Sequence, residues 1–265
     1  MGVTASSSAD SQDLHEFLLG DGEATGVPLL VQDGGAQHVG GDHATQDDQT
    51  GLFIWSASLV LARWVATSAR HDITGRSVLE LGAGCGVPGL AAAVLASARC
   101  VLLTEWNHAS LANLQVNAKL NKTSVPGCNI DVAKLDWSDR STWPEPVDVI
   151  LGSDLLYIPD VAGLLCAVVS ALLLPNGLFL YACAEDRLGM EELPARMKAV
   201  GVLLEAEWTA PQNLIAHQST SRPLAECCCQ THAFCEEEES CTTCLQELRS
   251  HTHIMQRYRK RPAVT

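Results

Sequence analysis

The sequence predicts an α/β fold, a parallel sheet wrapped by helices on both sides, and three observations predict it. Apolar runs of strand length alternate with runs of helix length from residue 56 to residue 208. The run Ser77-Val-Leu-Glu-Leu81 ends in a glycine-rich turn, Gly82-Ala-Gly-Cys-Gly86, which opens a helix at Val87-Pro88, proline being favoured in a first turn. Acidic residues then follow later strands: Glu105 the second, Asp136 the third and Asp154 the fourth.

The elements follow in order. Residues 56–69 read as an amphipathic helix, 77–81 as a strand, 88–97 as an alanine-rich helix, 100–104 as a strand and 108–120 as a helix. Strands follow near 129–135 and 147–152, then a helix over 160–173 and a strand over 178–184, set off by the turn signal Pro175-Asn-Gly177. A helix over 190–200 precedes two last strands, 202–208 and 253–259. The segment before residue 51 is rich in Gly, Asp, Ser and Gln, and disorder is expected as far as Gly20. Its apolar patch, Val27-Pro-Leu-Leu-Val31, with the turn signal Asp33-Gly-Gly35, is read as a hairpin.

Composition bounds the function. With 265 residues and 47% hydrophobic content the chain can bury one full core, so residues 51–265 are read as one domain and 1–50 as an extension. The apolar stretch 161–174 is too short to span a bilayer. A formal net charge of −14 repels phosphate backbones, which argues against nucleic acid as a partner. Eleven cysteines without a secretory leader are expected to be reduced thiols, in the cytosol or nucleus. Met1-Gly-Val-Thr-Ala-Ser6 meets a loose myristoylation pattern, but one acyl chain anchors weakly and no basic cluster follows, so no stable membrane association is expected.

Residues 211–250 form a cysteine-rich insertion between the last two strands. Cys241-Thr-Thr-Cys244 has zinc-knuckle spacing, with Cys227-Cys-Cys229, His232 and Cys235 upstream. The adjacent cysteines and the run Glu236-Glu-Glu-Glu239 read as a solvated low-complexity loop, and no metal is assigned.

The glycine turn carries the chemistry. A strand that stops at such a turn lets a nucleotide-like ligand approach the backbone, and an acid about twenty residues on can grip a ribose diol. Glu80 sits inside the strand just before the turn, and strands seldom bury a carboxylate without a partner, which counts toward a ligand. The spacing Gly82-x-Gly84-x-Gly86 departs from the G-x-G-x-x-G that seats a pyrophosphate on a helix N-terminus. S-adenosylmethionine has no phosphates and fits this turn better than NAD.

The run Glu80-Leu-Gly-Ala-Gly-Cys-Gly86, the pair Thr104-Glu105, Leu135-Asp-Trp137, Asp154-Leu-Leu-Tyr157, Gly51-Leu-Phe-Ile-Trp55 and Asn113-x-x-x-Asn117-x-x-x-Asn121 together resemble the class I, seven-stranded S-adenosylmethionine-dependent methyltransferases. The motifs look specifically like those of the methyltransferase-like 21, or family 16, group of protein-lysine methyltransferases, over roughly residues 51 to 210. It implies a Rossmann-like seven-stranded sheet, mostly parallel, with an antiparallel last strand. It also implies a cofactor pocket built from Trp55, Glu80, Gly82, Ala83, Gly84, Glu105, Asp136, Trp137 and Ser153. Glu105 would accept from both ribose hydroxyls, where relatives commonly have Asp; its other reading is a cap for the helix that follows. Asp136 would accept from the adenine amine under the Trp137 ring.

Asp154 and Tyr157 are the candidate catalytic residues. Methyl transfer is an in-line displacement at carbon, so aligning the incoming amine with the sulfonium supplies much of the rate. Asp154 would orient the amine and Tyr157 line its channel; without the glycine loop they would read as a helix cap and a core residue. The resemblance implies a monomeric enzyme acting on a protein, at lysine. Alternatives are methylation of protein histidine or arginine or of a small amine, a non-catalytic cofactor-binding scaffold, and a dinucleotide oxidoreductase.

Overall fold

A computed structural model of the chain describes residues 13–17, 19, 29–34, 49–122, 124–125, 127–157, 161–210 and 251–262. The cysteine-rich insertion with its zinc-knuckle spacing, the Gly2 motif and most of the stretch expected to be disordered lie outside the described residues. The order is β1 (Asp13–Phe17), β2 (Leu29–Asp33), a 3-10 turn at Thr50–Leu52, α1 (Ser56–Ala66), α2 (Arg70–Ile73), β3 (Ser77–Leu81) and α3 (Val87–Val94). Then come β4 (Cys100–Glu105), α4 (His108–Lys122), β5 (Asn129–Lys134), β6 (Val147–Ser153), α5 (Val161–Leu172), β7 (Leu173–Ala184), α6 (Leu193–Ala199), β8 (Val202–Thr209) and β9 (His253–Lys260).

Seven strands form one sheet in the order β5-β4-β3-β6-β7-β9-β8. The five strands from β5 to β7 are parallel, and β9 is antiparallel to both its neighbours. The strand period of two divides the core. Val78, Val149, Leu151, Leu178 and Leu180 pack with α1, α3 and α4 on one face, whereas Leu79, Leu81, Ile150, Phe179 and Tyr181 pack with α5 and α6 on the other. With both faces covered, β3 at the centre is buried along its whole length. Among the described residues no helix is long and apolar enough to cross a membrane.

Four expectations are corrected. The helix expected over 56–69 ends at Ala66, where the Thr67 hydroxyl donates to the Arg63 carbonyl at 2.7 Å and a separate turn starts at Arg70. The strand expected from 178 begins at Leu173, and Pro175-Asn-Gly177 lies in a bulge, the register shifting from Val147 opposite Leu173 to Val149 opposite Leu178. The helix expected from 190 starts at Leu193, with Pro194 in its first turn.

The fourth concerns the N-terminal segment. β2 pairs antiparallel with β1, which lies in the stretch expected to be disordered, so its partner precedes it and the Asp33-Gly-Gly35 signal does not close the hairpin. The pair is held by α4. Asn121 accepts the Leu30 N–H at 3.0 Å and donates to the Leu30 carbonyl; Asn117 accepts the Gln32 N–H at 2.7 Å and donates to the Gln32 carbonyl at 2.9 Å. Asn113 donates to that same carbonyl at 3.0 Å. A helix advances about 6 Å in four residues and a strand nearly 7 Å in two, so asparagines spaced i, i+4 meet alternate peptides of β2. The ladder thereby stands in for a neighbouring strand and satisfies a sheet edge.

Candidate functional site

The chain leaves β3 to one side through β4 and β5, then returns to β6 on the other side of β3. At this reversal the carboxyl ends of β3 and β6 open a crevice, the place where open α/β sheets bind ligands. It holds a cavity of about 590 Å³, in the range of a small-molecule site. The glycine turn forms one wall. Gly84 has φ +53°, and a Cβ there would stand 3.1 Å from the Gly51 carbonyl oxygen, so a side chain at residue 84 would strain the turn and crowd the Thr50–Leu52 segment.

Glu105, the last residue of β4, lines the cavity and is 7% exposed. Its Oε1 accepts the Gly84 N–H at 3.2 Å and its Oε2 accepts the Trp106 N–H at 2.8 Å. The carboxylate thus ties β4 to the glycine turn and faces the ligand space. Its capping alternative is only partly realised, because Asn107 accepts the N–H groups of Ala109 and Ser110 at 2.8 and 3.2 Å and caps α4 itself.

Glu80 is the correction. It was expected among the cofactor-binding residues, but it does not line the cavity. Its side chain lies under the first turn of α3, 1% exposed, where Oε2 accepts the Gly89 N–H at 2.7 Å and Oε1 has no hydrogen-bond partner among the described residues. A Cβ at residue 89 would stand 2.5 Å from Oε2, so the carboxylate's approach requires glycine there. Burial pushes this carboxyl up to about 8, against the Gly89 hydrogen bond that lowers it and with the Glu105 charge adding to the rise. The carboxylate that the sequence shows inside a strand does have a partner, and that partner is a helix N-terminus rather than a ligand.

Asp136 and Trp137 follow β5 and line the cavity. Asp136 Oδ1 accepts from the Ser138 hydroxyl at 2.6 Å and N–H at 2.8 Å, and the hydroxyl bond above all holds its carboxyl below the usual range. Trp55 also lines the cavity, its indole N–H donating to the Thr50 carbonyl at 2.9 Å. That bond pins the 3-10 turn across the entrance to α1.

Ser153, Asp154 and Tyr157 leave the end of β6 and line the same cavity. Asp154 has φ +55°, a left-handed conformation that Asp tolerates better than most residues. Two β7 residues hold that turn: the Asp154 N–H donates to the Ala182 carbonyl at 2.9 Å and the Leu155 N–H to the buried Tyr181 hydroxyl at 3.2 Å. The Asp154 carboxylate is 8% exposed and forms a two-pronged ion pair with Arg187, whose Nε lies 2.6 Å from Oδ1 and whose Nη2 reaches Oδ2. Since α5 begins at Val161, Asp154 does not cap it. Tyr157 is exposed at the rim, with Val161 and Leu164 of α5 beside it in the lining.

The structure therefore gathers Trp55, Gly82, Ala83, Gly84, Glu105, Asp136, Trp137, Ser153, Asp154 and Tyr157 around one cavity and leaves out Glu80. Sequence reasoning missed Arg187, which lies in the turn after β7 and reaches Asp154 across 33 residues. It also missed Asn107, Ser110 and Trp106, whose signal was the helix start directly after Glu105. Asn117 touches the site indirectly, donating to the Cys85 carbonyl at 3.0 Å from the ladder that holds β2.

Known proteins resemble this chain in both sequence and shape. A family model described as lysine methyltransferase matches residues 42–197. The human protein-lysine N-methyltransferase EEF2KMT is 33% identical over 135 residues, 46% of this chain and 40% of that protein. EEF1A lysine methyltransferase 3 of Xenopus tropicalis is 32% identical over 124 residues, 46% of this chain and 53% of that protein. The chain thus spans about half or less of the length of these relatives. Among solved structures, a methyltransferase from Pyrococcus furiosus shares the fold at a TM-score of 0.51 and 12% identity, over 77% of this chain and 83% of that one. SMU.776 complexed with S-adenosylhomocysteine shares it at 0.53 and 11%, over 92% of this chain and 56% of that one.

Proposed function

The chain belongs to the lysine methyltransferase family, and from that premise we propose that it transfers a methyl group from S-adenosylmethionine to the ε-amine of a lysine in a protein. The observation that carries the proposal is the polarity of the cavity. The strand order puts Glu105, Asp136 and Trp137, after β4 and β5, on one side of the glycine turn and Asp154 with Tyr157, after β6, on the other.

The residues suit this cofactor better than a dinucleotide. Among the described residues the lining holds three carboxylates, Glu105, Asp136 and Asp154, and one Lys or Arg, Arg187, which is already paired to Asp154. A pyrophosphate would meet no cation at the glycine turn, whereas a ribose and an adenine amine both need acceptors. In this reading Glu105 holds the ribose, Asp136 accepts from the adenine amine, Trp137 covers the ring, and Trp55 and Ser153 bound the methionine end. The bound cofactor supplies an electrophilic methyl group.

The chain's own residues would position the acceptor. Val161, Leu164 and the Tyr157 ring form an apolar rim against which the methylenes of a lysine could lie, with the amine at Asp154. A lysine ammonium has no lone pair for attack and must lose its proton, which the dry walls around Asp154 favour by penalising the charged form. The compartment we propose is the cytosol or nucleus, on the reduced-cysteine argument above.

The test is incubation of a lysate with the purified protein and methyl-labelled cofactor, beside Asp154→Asn, with mass spectrometry of labelled bands. Methyl-lysine in one or a few proteins is expected, lowered about 10²-fold by the variant, which keeps the shape but loses a carboxylate oxygen that orients the amine and uncovers the Arg187 charge. Label on histidine, arginine or small amines would replace lysine as the acceptor. No labelled product, from protein that binds S-adenosylhomocysteine, would leave a non-catalytic scaffold.

A further inference from the structure

We propose that Arg187 is a positioning residue that makes the acceptor end of the cavity neutral, so that it receives the target amine without its proton. The inference rests on the cofactor reading above and extends it to a side chain that no motif singled out. Its basis is the two-pronged ion pair: the only Lys or Arg among the described lining residues is placed on the one carboxylate at the acceptor end.

The physical reason is charge balance. An isolated Asp154 carboxylate in this cleft would attract an ammonium and stabilise its charged form, which cannot attack a methyl group. Joined to a guanidinium, the carboxylate keeps free lone pairs to orient an amine, while the pair has no net charge with which to hold the extra proton. The buried titratable groups of β7 and β9 that face the pair add little charge of their own. From β7, Tyr181 and Cys183 face the pair, and burial pushes both well above their usual range, so they are neutral. From β9, His253 faces it, and burial lowers its ring below the ordinary value despite the Asp154 charge that raises it. Its Nε2 is 2.8 Å from the Ser56 hydroxyl of α1. Among the described residues that line the acceptor end, Asp154 and Arg187 are the charged groups.

Two ligands read that charge without a protein substrate. S-adenosylhomocysteine has no group where the transferred methyl would be, and sinefungin carries an amine there. Calorimetry of both with the full chain gives their affinity ratio. Arg187→Gln should shift the ratio toward sinefungin on the order of tenfold, because the carboxylate is uncovered. Arg187→Lys should leave it near wild type, and Asp154→Asn should shift it the opposite way. Asp154→Asn combined with Arg187→Gln removes both charges, so no buried charge is left unpaired to compromise folding, and it should return the ratio to wild type. An unchanged ratio in Arg187→Gln or Asp154→Asn, or a double variant far from wild type, overturns the inference, while intact S-adenosylhomocysteine binding leaves the cofactor reading standing. Wild-type protein that binds neither ligand overturns both.

Discussion

Glu80 and Glu105 occupy nearly the same place in the sequence pattern and opposite places in the molecule. Both sit at the ends of neighbouring parallel strands, on the same face of the sheet, within reach of the glycine turn. The register pairs Glu80 with Leu103, so Glu105 stands two residues further along, about 7 Å closer to the carboxyl edge. That step takes it past the cover of α3. Glu105 meets N–H groups of two loops and the cavity, whereas Glu80 meets one N–H and is otherwise sealed. A carboxylate's role here is decided by its height along a strand, because a helix covers one level and not the next.

The contrast is sharpest in its pH dependence. The folded value of Glu80 lies above its ordinary 4.5, so the folded state holds the proton longer than the unfolded chain does. Its contribution to stability is intact below about 4.5 and is lost as pH rises toward about 8, by at most about 1.4 kcal/mol per pH unit. Glu80→Gln, which cannot ionise, should remove that slope and gain stability relative to wild type as pH rises from about 4.5 toward 8. Denaturant unfolding of both proteins across this range measures the difference. Parallel stability curves would place Glu80 in contact with solvent and dissolve the contrast.

Glu105→Ala should act on affinity instead. Loss of its hydrogen bonds to the ribose should weaken S-adenosylhomocysteine binding by about 1.5–3 kcal/mol, read by calorimetry, while Glu80→Gln leaves binding near wild type. If the two variants weaken binding equally, height along the strand does not separate the roles.

The smallest effect uses neutral side chains as a control. Asn117 and Asn121 each make the same pair of bonds to β2, but Asn117 also donates to the Cys85 carbonyl in the glycine turn, whereas Asn121 donates to the Asn117 carbonyl of its own helix. Asn117→Ala should therefore lower cofactor affinity by about 1 kcal/mol more than Asn121→Ala, one net hydrogen bond. Equal affinities would mean that the ladder holds β2 without steadying the turn.

Much of this was legible in the sequence. The period of two in β3, β4 and β6, the helical runs after them and the Gly82–Gly86 turn are local signals, and local signals survive without tertiary context. Element ends were less legible where a side chain competed with the backbone, as Thr67 does at the end of α1, or where a turn signal was absorbed by a bulge, as in β7. The N-terminal segment was misread because it is held by Asn113, Asn117 and Asn121, 81, 85 and 91 residues from their partners in it, and composition sees only the strand's own residues.

By itself, then, the sequence determined the alternation of strand and helix, the turn that needs glycine, and the acids that follow successive strands. Each depends on backbone sterics and apolar periodicity within a dozen residues. Only the tertiary structure decided which acids face the cavity, because that depends on strand register and on where α3 begins to cover the sheet. It alone decided that Arg187 meets Asp154 and that Asn117 meets both β2 and the glycine turn, since those contacts follow from strand order, and strand order is set by how the whole sheet buries its two faces.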